Sequence, residues 1–362
     1  MSEDEGHLNP LRSKENMTAM RIATYNVEWM NALFDNDGQP LADDAWSARY
    51  NITRAQQLEA LGIVFTAIDA DAILIVEAPD QSRRRSTVRA LEAFAALFGL
   101  RQRRAVIGFG NHTEQEIALL HDPDALAATH APMGDFVGKK GSEDGPRFDG
   151  SFRIDLDVDN QPDVVQFSKP PLELAIQAAS GFAFRMIGVH VKSKAPHGAA
   201  SPAEVMQRSI ANRRKQLAQC IWLRQRIDMH LADGDPLIVL GDFNDGPGLD
   251  EYEALFGRSG LEIVLGKTRP STERLFDPHA RPALTGPTTA RHATARFYDE
   301  ATRRYTSALL DYVMLSPDLL QRNPIWRIWH PFDDAGVYRT PELREALLVA
   351  SDHFPVTLDI DL

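Results

Sequence analysis

The sequence predicts an α/β fold in which two β-sheets pack together, with helices on the outside, as one domain. Three observations carry this reading. Short runs rich in β-formers recur from residue 20 to residue 360. Segments of helical period are inserted between some of them. No internal repeat and no low-complexity linker divides the 362 residues, a length that suits two domains or one large α/β domain.

The elements follow in order. MRIATYNV (20–27) alternates and reads as a strand. SARYNITRAQQLEALGIVFTAI (47–68) has helical periodicity. DAILIVEAP (71–79) is a buried strand stopped by Pro79. STVRALEAFAALFG (86–99) sets Val88, Leu91, Ala95 and Phe98 on one helical face and ends at a C-capping Gly99. Strands follow at 116–122, 151–158, 171–176 and 183–190, with a loop-like segment over 123–150. The strongest helix pattern is 201–230: Ser201 caps it, Pro202 suits the first turn, and Glu204 completes a capping box. A strand at 236–241 comes next, then a long loop over about 266–304, then late strands at 305–316 and 354–360. Residues 1–19 are polar and read as a flexible leader, leaving the domain to 20–362.

Composition narrows the function classes. The net charge of −12 argues against a protein that coats nucleic acid by bulk electrostatics. It is compatible with carboxylates that await a divalent cation. The single cysteine, Cys220, allows no internal disulfide and no cysteine metal cluster; its helical setting makes it a buried structural thiol. A reducing, cytoplasmic setting fits, and the N-terminal segment has no apolar core of a signal peptide. No apolar stretch approaches the ~18 residues that span a bilayer.

Polar residues gather where the strands end. Asn26 and Glu28 end the first and Glu77 the second. His190, Lys192 and Ser193 follow the strand at 183–190. Asp242, Phe243, Asn244 and Asp245 follow the apolar run Leu237 to Leu240. Asp311 sits among apolar neighbours, and Asp352 and His353 precede the last strand. Each alone is open to a bland reading as a turn residue or a satisfied structural acid. Five strand ends carrying such groups look like a site assembled on a rigid sheet scaffold. Carboxylate and amide oxygens without thiolates suit Mg²⁺ or Mn²⁺. Two histidines can transfer protons or hydrogen-bond a phosphoryl oxygen. No phosphate-binding G-x-x-x-x-G-K-[ST] loop, no G-x-S-x-G elbow and no H-E-x-x-H helix is present. Metal-assisted attack of water on phosphorus is what remains.

TYNVEW, DAILIVEAP, GVHVKSK, GDFND, LLDYVMLS and SDHFPV, in that order, resemble the endonuclease/exonuclease/phosphatase superfamily, over roughly residues 20–360. The resemblance implies a four-layer α-β-β-α sandwich of the deoxyribonuclease I-like and exonuclease III-like kind, with its site at one edge of the sheets. It also implies roles. Glu77 and Asn26 would hold Mg²⁺ (or Mn²⁺), with Asp352 as a further metal-associated acid. Asp242 would orient or deprotonate the attacking water, and Asn244 would support the phosphate or the nucleophile. His353 would contact the scissile phosphate, oriented by Asp311, and His190 would stabilise phosphoryl oxygens. There are departures. Val76 stands where the family often has Gln, and VHV (189–191) replaces T-H-L. Lys169 stands where nuclease members often have Arg; with Lys192 it is a candidate for substrate binding, though as a point charge. Glu28 has no role implied by the resemblance and reads as a surface or supporting acid.

The substrate is a phosphoester, with nucleic acid among the candidates. Residues 266–306 hold eight Lys/Arg (Lys267, Arg269, Arg274, Arg281, Arg291, Arg296, Arg303, Arg304) against Glu273, Asp277, Asp299 and Glu300. They are either a track for a polyanion or a solvated loop. The leading expectation is a Mg²⁺-dependent nuclease or phosphodiesterase. A phosphatase or a lipid, inositol or small-molecule phosphodiesterase stands second, and a non-catalytic scaffold of the same fold third.

Overall fold

In a computed structural model, the described residues are 19–156, 162–196, 198–282, 292–299 and 303–362. The first half builds β1 (Met20–Asn26), α1 (Arg54–Ile68), β2 (Ala72–Ala78), α2 (Thr87–Leu97), β3 (Arg104–Ile107), β4 (Glu116–His121) and β5 (Leu126–His130). Then come β6 (Phe152–Ile154), β7 (Asp163–Val165), β8 (Leu172–Ala178), β9 (Ala183–His190), the long α3 (Pro202–Asp233) and β10 (Leu237–Asp242). The last part adds α4 (Gly260–Leu265), β11 (Ala295–Asp299), β12 (Arg304–Ala308), β13 (Asp311–Leu315), β14 (Ile325–Ile328), α5 (Ala335–Tyr338), α6 (Pro341–Ala350) and β15 (Val356–Ile360).

The strands form a six-stranded sheet, β14-β15-β1-β2-β4-β3, and a five-stranded sheet, β13-β10-β9-β8-β5. Each mixes parallel and antiparallel pairs: β1 runs parallel to β2 and β9 to β10, while β1 pairs antiparallel with β15 and β10 with β13. Period-two alternation then assigns faces. Ile22, Leu74 and Val76 of the first sheet meet Met186, Ile238, Leu240 and Val313 of the second in one apolar layer. The other face of the first sheet, with Tyr25, Ile73 and Ile75, packs on Phe65 of α1, Phe94 of α2 and Leu347 of α6. The outer face of the second, with Val189, Val239 and Met314, packs on Trp222 and Leu223 of α3 and Val264 of α4. Four layers result, helix–sheet–sheet–helix, as the sequence predicts.

Several boundaries move. The segment 47–68 becomes helical only at Arg54, where Thr53 caps and exchanges bonds with Gln56. Ala48 and Asn51 before it have positive φ and form a turn. The loop-like segment 123–150 contains β5, and the run 305–316 is two strands broken at Leu309 and Leu310. Helix α3 is capped by Ser201, but Glu204 reaches back to the Ala200 N–H (2.7 Å), one residue before the cap, so the reciprocal box is not closed. Cys220 is buried, as expected. The leader lies almost wholly outside the described residues, as does part of the strand expected at 151–158. Among the described residues no helix is long and apolar enough to cross a membrane.

Candidate active site

Parallel pairing within each sheet brings the C-terminal ends of β1, β2, β9 and β10 to one edge. The alternation that buries Ile238 and Leu240 between the sheets also turns Asp242 inward. The same phase carries Asn26, His190 and Asp311 inward, because they lie four residues from Ile22 and Met186 and two before Val313. Register fixes the neighbours: Asp242 stands opposite His190 on β9 and opposite Asp311 on β13.

Glu77 reaches the site by a different device. In phase with Ile73 and Ile75, it would face the helices. The ladder with β4 instead shifts register between Val76 and Ala78, and Glu77 takes φ +64° as the extra residue. A bulge of this kind re-aims one side chain. Asn244 also has positive φ (+50°), and its N–H donates to Asp242 Oδ1 (2.8 Å) in an Asx turn that places both side chains together. Gly241 lets β10 run against β9: its φ is +135°, and a Cβ there would lie 2.1 Å from the Val189 carbonyl oxygen.

The side chains converge. Asp242 Oδ2 accepts from the amides of Asn26 and Asn244, each at 3.2 Å. Asn244 Nδ2 also donates to the Val191 carbonyl at 3.1 Å. His190 Nε2 lies 3.7 Å from Asp242 Oδ2 and 4.0 Å from Glu77 Oε1. Lys169 Nζ sits 3.2 and 3.1 Å from the two ring nitrogens of His190. His353 Nδ1 is 2.8 Å from Asp311 Oδ2, leaving Nε2 toward the pocket, 3.9 Å from Asp352 Oδ1. Ligand atoms of Asp242, Asp311 and His353 all lie within 4.8 Å of one another.

The electrostatics match the crowding. Burial, reinforced by Asp311, pushes the Asp242 carboxyl up to about 7, against the pull of His353 and the amides. Burial also raises Glu77, opposed by Lys169. Burial alone would lower His353, but Asp311, Asp242 and Asp352 outweigh it and hold the imidazole at about 10, so it keeps its proton at neutral pH. His190 goes the other way: burial, Lys169 and His353 hold it well below the ordinary range, so it is neutral. Burial brings Lys169 down to about 8 although Glu77 and Asp242 oppose this.

Nine of the ten residues expected to have a role in the site are thus in or beside one side-chain cluster: Asn26, Glu77, Lys169, His190, Asp242, Asn244, Asp311, Asp352 and His353. Lys192 stands further out; burial and Lys215 lower its ammonium, and its charge still bears on His190 and Lys169. The basic stretch at 266–306 is less of a track than its count suggests. Lys267 pairs with Glu262 (2.7 Å) and Arg269 with Asp228 (2.6 Å), on the α3–α4 side. Arg291 and Glu300 lie outside the described residues. Arg296 does approach the site: its N–H donates to the Asp352 carbonyl (2.7 Å), and its guanidinium lies 3.8 Å over the Tyr305 ring. Supports that sequence reasoning missed are Thr294, whose Oγ1 accepts the Leu310 and Asp311 N–H groups, and Ser351, which bonds the Asn26 carbonyl. Phe297 sets its ring edgewise against His353 at 5.6 Å.

The sequence profile of the Endonuclease/Exonuclease/phosphatase family matches residues 23–353, nearly the whole chain. The chain belongs to this family. Family enzymes hydrolyse phosphoester bonds and commonly use divalent metals, and a buried cluster of acids with a histidine is present here. Among solved structures, the chain is similar to the Neisseria 3′ phosphatase NExo bound to a product DNA hairpin (18% identity, 95% of this chain and 100% of that chain, TM-score 0.49). It is also similar to a mannosyl-6-phosphatase of Bacteroides thetaiotaomicron (14% identity, 94% and 98%, TM-score 0.47). An AP endonuclease from Archaeoglobus fulgidus is a third (14% identity, 95% and 100%, TM-score 0.44). No curated protein sequence matches the chain.

Within the family frame, the donor set fits a hard divalent cation. Asp311 Oδ1 is buried with no hydrogen-bond partner among the described residues, and burial disfavours the charged forms of Asp242 and Glu77. The pocket therefore holds more carboxylate than its own cations satisfy. Most of the spare donors are carboxylate oxygens, with the neutral His190 imidazole beside them, a set that a divalent cation accepts.

Proposed function

We propose that the protein is a Mg²⁺- or Mn²⁺-dependent phosphodiesterase, acting as a nuclease through one catalytic domain over 20–362. The observation that carries this is geometric: in one buried cluster the ligand atoms of Asp242, Asp311 and His353 lie within 4.8 Å of one another and Asp311 bonds the His353 ring, with burial raising the Asp242 carboxyl and Asp311 keeping His353 protonated. One group is set to take a proton and the other to give or share one.

Glu77, Asn26 and Asp352 are the residues that would hold the cation. When bound, it neutralises charge on the phosphoryl group and eases departure of the leaving oxygen. The chain's own groups do the rest. Asp242, aimed by the Asn26 and Asn244 amides, orients the attacking water and takes its proton. His353, held in one tautomer by Asp311, presents Nε2–H to the phosphate. Neutral His190 and the Lys169 ammonium receive the phosphoryl oxygens from the opposite wall. Tyr298 and Tyr305 are more than half exposed (52% and 58%), and Arg296 beside them makes this edge a stacking surface for bases. That supports nucleic acid as the substrate. One observation favours a second reading, a phosphatase or a phosphodiesterase for small, inositol or lipid phosphoesters: Lys267 and Arg269, two members of the basic stretch, are engaged in ion pairs with Glu262 and Asp228. A non-catalytic scaffold is disfavoured by the intact set of Glu77, Asp242, Asn244 and His353. A cytoplasmic setting belongs to the same reading.

The test is hydrolysis of plasmid DNA, single-stranded RNA and bis-p-nitrophenyl phosphate with Mg²⁺, Mn²⁺ or EDTA, with Asp242→Asn and His353→Ala as controls. Polymer cleavage that EDTA and both variants abolish is the expected outcome. Cleavage of the small diester alone moves the assignment to small phosphoesters. Full activity in both variants sinks the site.

A further inference from the structure

β1 leaves its sheet through two consecutive left-handed residues, Glu28 (φ +43°) and Trp29 (φ +59°). Neither is Gly, Asn or Asp, and such a pair persists only where the surroundings over-determine it. What the turn bonds to explains it. The Glu28 N–H donates to Asn26 Oδ1 (3.1 Å), and the Trp29 N–H donates to Glu77 Oε2 (3.1 Å). Glu28 Oε2 accepts the Asp352 N–H (2.8 Å). One two-residue turn thus touches Asn26, Glu77 and Asp352, which lie far apart in sequence.

Glu28 is not alone. Its carboxylate is ion-paired with Arg49, and the two side chains are only 22% and 11% exposed. Arg49 comes from the turn before α1, donates to the Leu348 carbonyl (3.3 Å), and has a buried Nε without a hydrogen-bond partner among the described residues. The buried Gln57 amide of α1 closes the arrangement by donating to the Val27, Glu28 and Ala350 carbonyls. A carboxylate placed this close to Asp352 would repel it without a counter-charge. Arg49 supplies that counter-charge, so Glu28 can hold the Asp352 amide without adding net negative charge.

We infer that Glu28 and Arg49 are positioning residues: a partly buried ion pair that fastens the Asp352–His353 segment to the end of β1 and so sets the spacing of Asn26, Glu77 and Asp352 for a divalent cation. This rests on the metal site proposed above. Outer partners of metal ligands typically govern affinity by about 10- to 100-fold.

The experiment measures Mn²⁺ binding to the full chain by electron paramagnetic resonance of free Mn²⁺, with folding checked by circular dichroism. Glu28→Ala and Arg49→Met are expected to weaken binding by about 10- to 100-fold. The double variant Glu28→Gln/Arg49→Met keeps an acceptor for the Asp352 N–H and removes both charges. It is expected to bind more tightly than Arg49→Met alone, a rescue that simple loss of packing would not give. Where Arg49→Met fails to fold, Arg49→Lys and Glu28→Gln replace it, each with weakened binding. Folded variants that bind Mn²⁺ within about twofold of wild type overturn the inference and leave the metal site standing. A wild-type chain that binds no Mn²⁺ removes the metal site, and the inference with it.

Discussion

The side-chain amide of Asn26 donates to Asp242 Oδ2 across 3.2 Å, joining the end of β1 in one sheet to the end of β10 in the other. A bond to the charged form favours it, so its loss raises the Asp242 carboxyl further. Asn26→Ala should therefore move the acidic limb of the pH–rate profile to higher pH and lower kcat at pH 7 by about tenfold or more. Urea unfolding should register a loss of only about 1 kcal/mol. An unmoved acidic limb would mean that Asp242 does not act as the ionised base.

The Asp311–His353 pair sets the other limb. Activity should rise as Asp242 ionises near pH 7 and fall as His353 loses its proton near pH 10. Asp311→Asn removes the carboxylate that raises both groups, so both limbs should shift to lower pH. The stability sign follows from the same shift. The folded-state pKa of His353 lies above its unfolded value of about 6.5. Its contribution is complete below that value and is lost as pH rises through about 10. Proton titration of the His353 ring by NMR in wild type and Asp311→Asn checks both statements.

Cation binding should stabilise the fold more as pH rises from 6 to 8. Burial raises Asp242, beside the cation site, to about 7, so the site carries less negative charge at the lower pH. At about 100-fold over Kd the gain is roughly 2.7 kcal/mol, a Tm rise of a few degrees that EDTA reverses. Thermal unfolding with and without Mg²⁺ at several pH values measures it. An increment that shrinks with rising pH would contradict the carboxylate site.

Gly241→Ala should be among the most damaging single-methyl changes in the chain. The new Cβ would lie 2.1 Å from the Val189 carbonyl at a φ of +135°. β9 and β10 would have to part, at a cost of roughly 4 kcal/mol or more. Soluble yield and the urea midpoint report it.

The β11–β12 hairpin offers a test of substrate class. Tyr298→Ala and Tyr305→Ala should each raise KM for a single-stranded oligonucleotide by about tenfold, with kcat little changed, because one stacked base is worth roughly 1–3 kcal/mol. Unchanged KM values would detach the hairpin from substrate binding.

The sequence made the buried strands legible because each is a short apolar run bounded by breakers: 20–27, 71–79, 183–190 and 236–241 became β1, β2, β9 and β10. Edge and half-exposed strands were not legible. β3, β5 and β14 are four or five residues long with partly exposed side chains, so no clear period marks them. The inward set of polar residues could be read from the motifs that carry them. Their supports could not, because Glu28, Arg49, Gln57 and Thr294 act through contacts between distant segments. Glu77 shows the difference well. Its apolar neighbours announce a strand, but alternation alone points it the wrong way, and only the bulge turns it inward.

β15 lies between β14 and β1, and the segment just before it carries His353. The strand that begins the sheet and the strand that completes it are therefore neighbours in space and opposite in time of synthesis. While the chain is still emerging from the ribosome, β1 has one unpaired edge, and Asn26 waits for a histidine more than three hundred residues away. Closure of this long loop must precede assembly of the site, which makes the proposed activity a late event in folding. A chain that has not yet reached β13 holds Asn26, Glu77 and Asp242 but lacks Asp311, Asp352 and His353, three of the groups that the site needs.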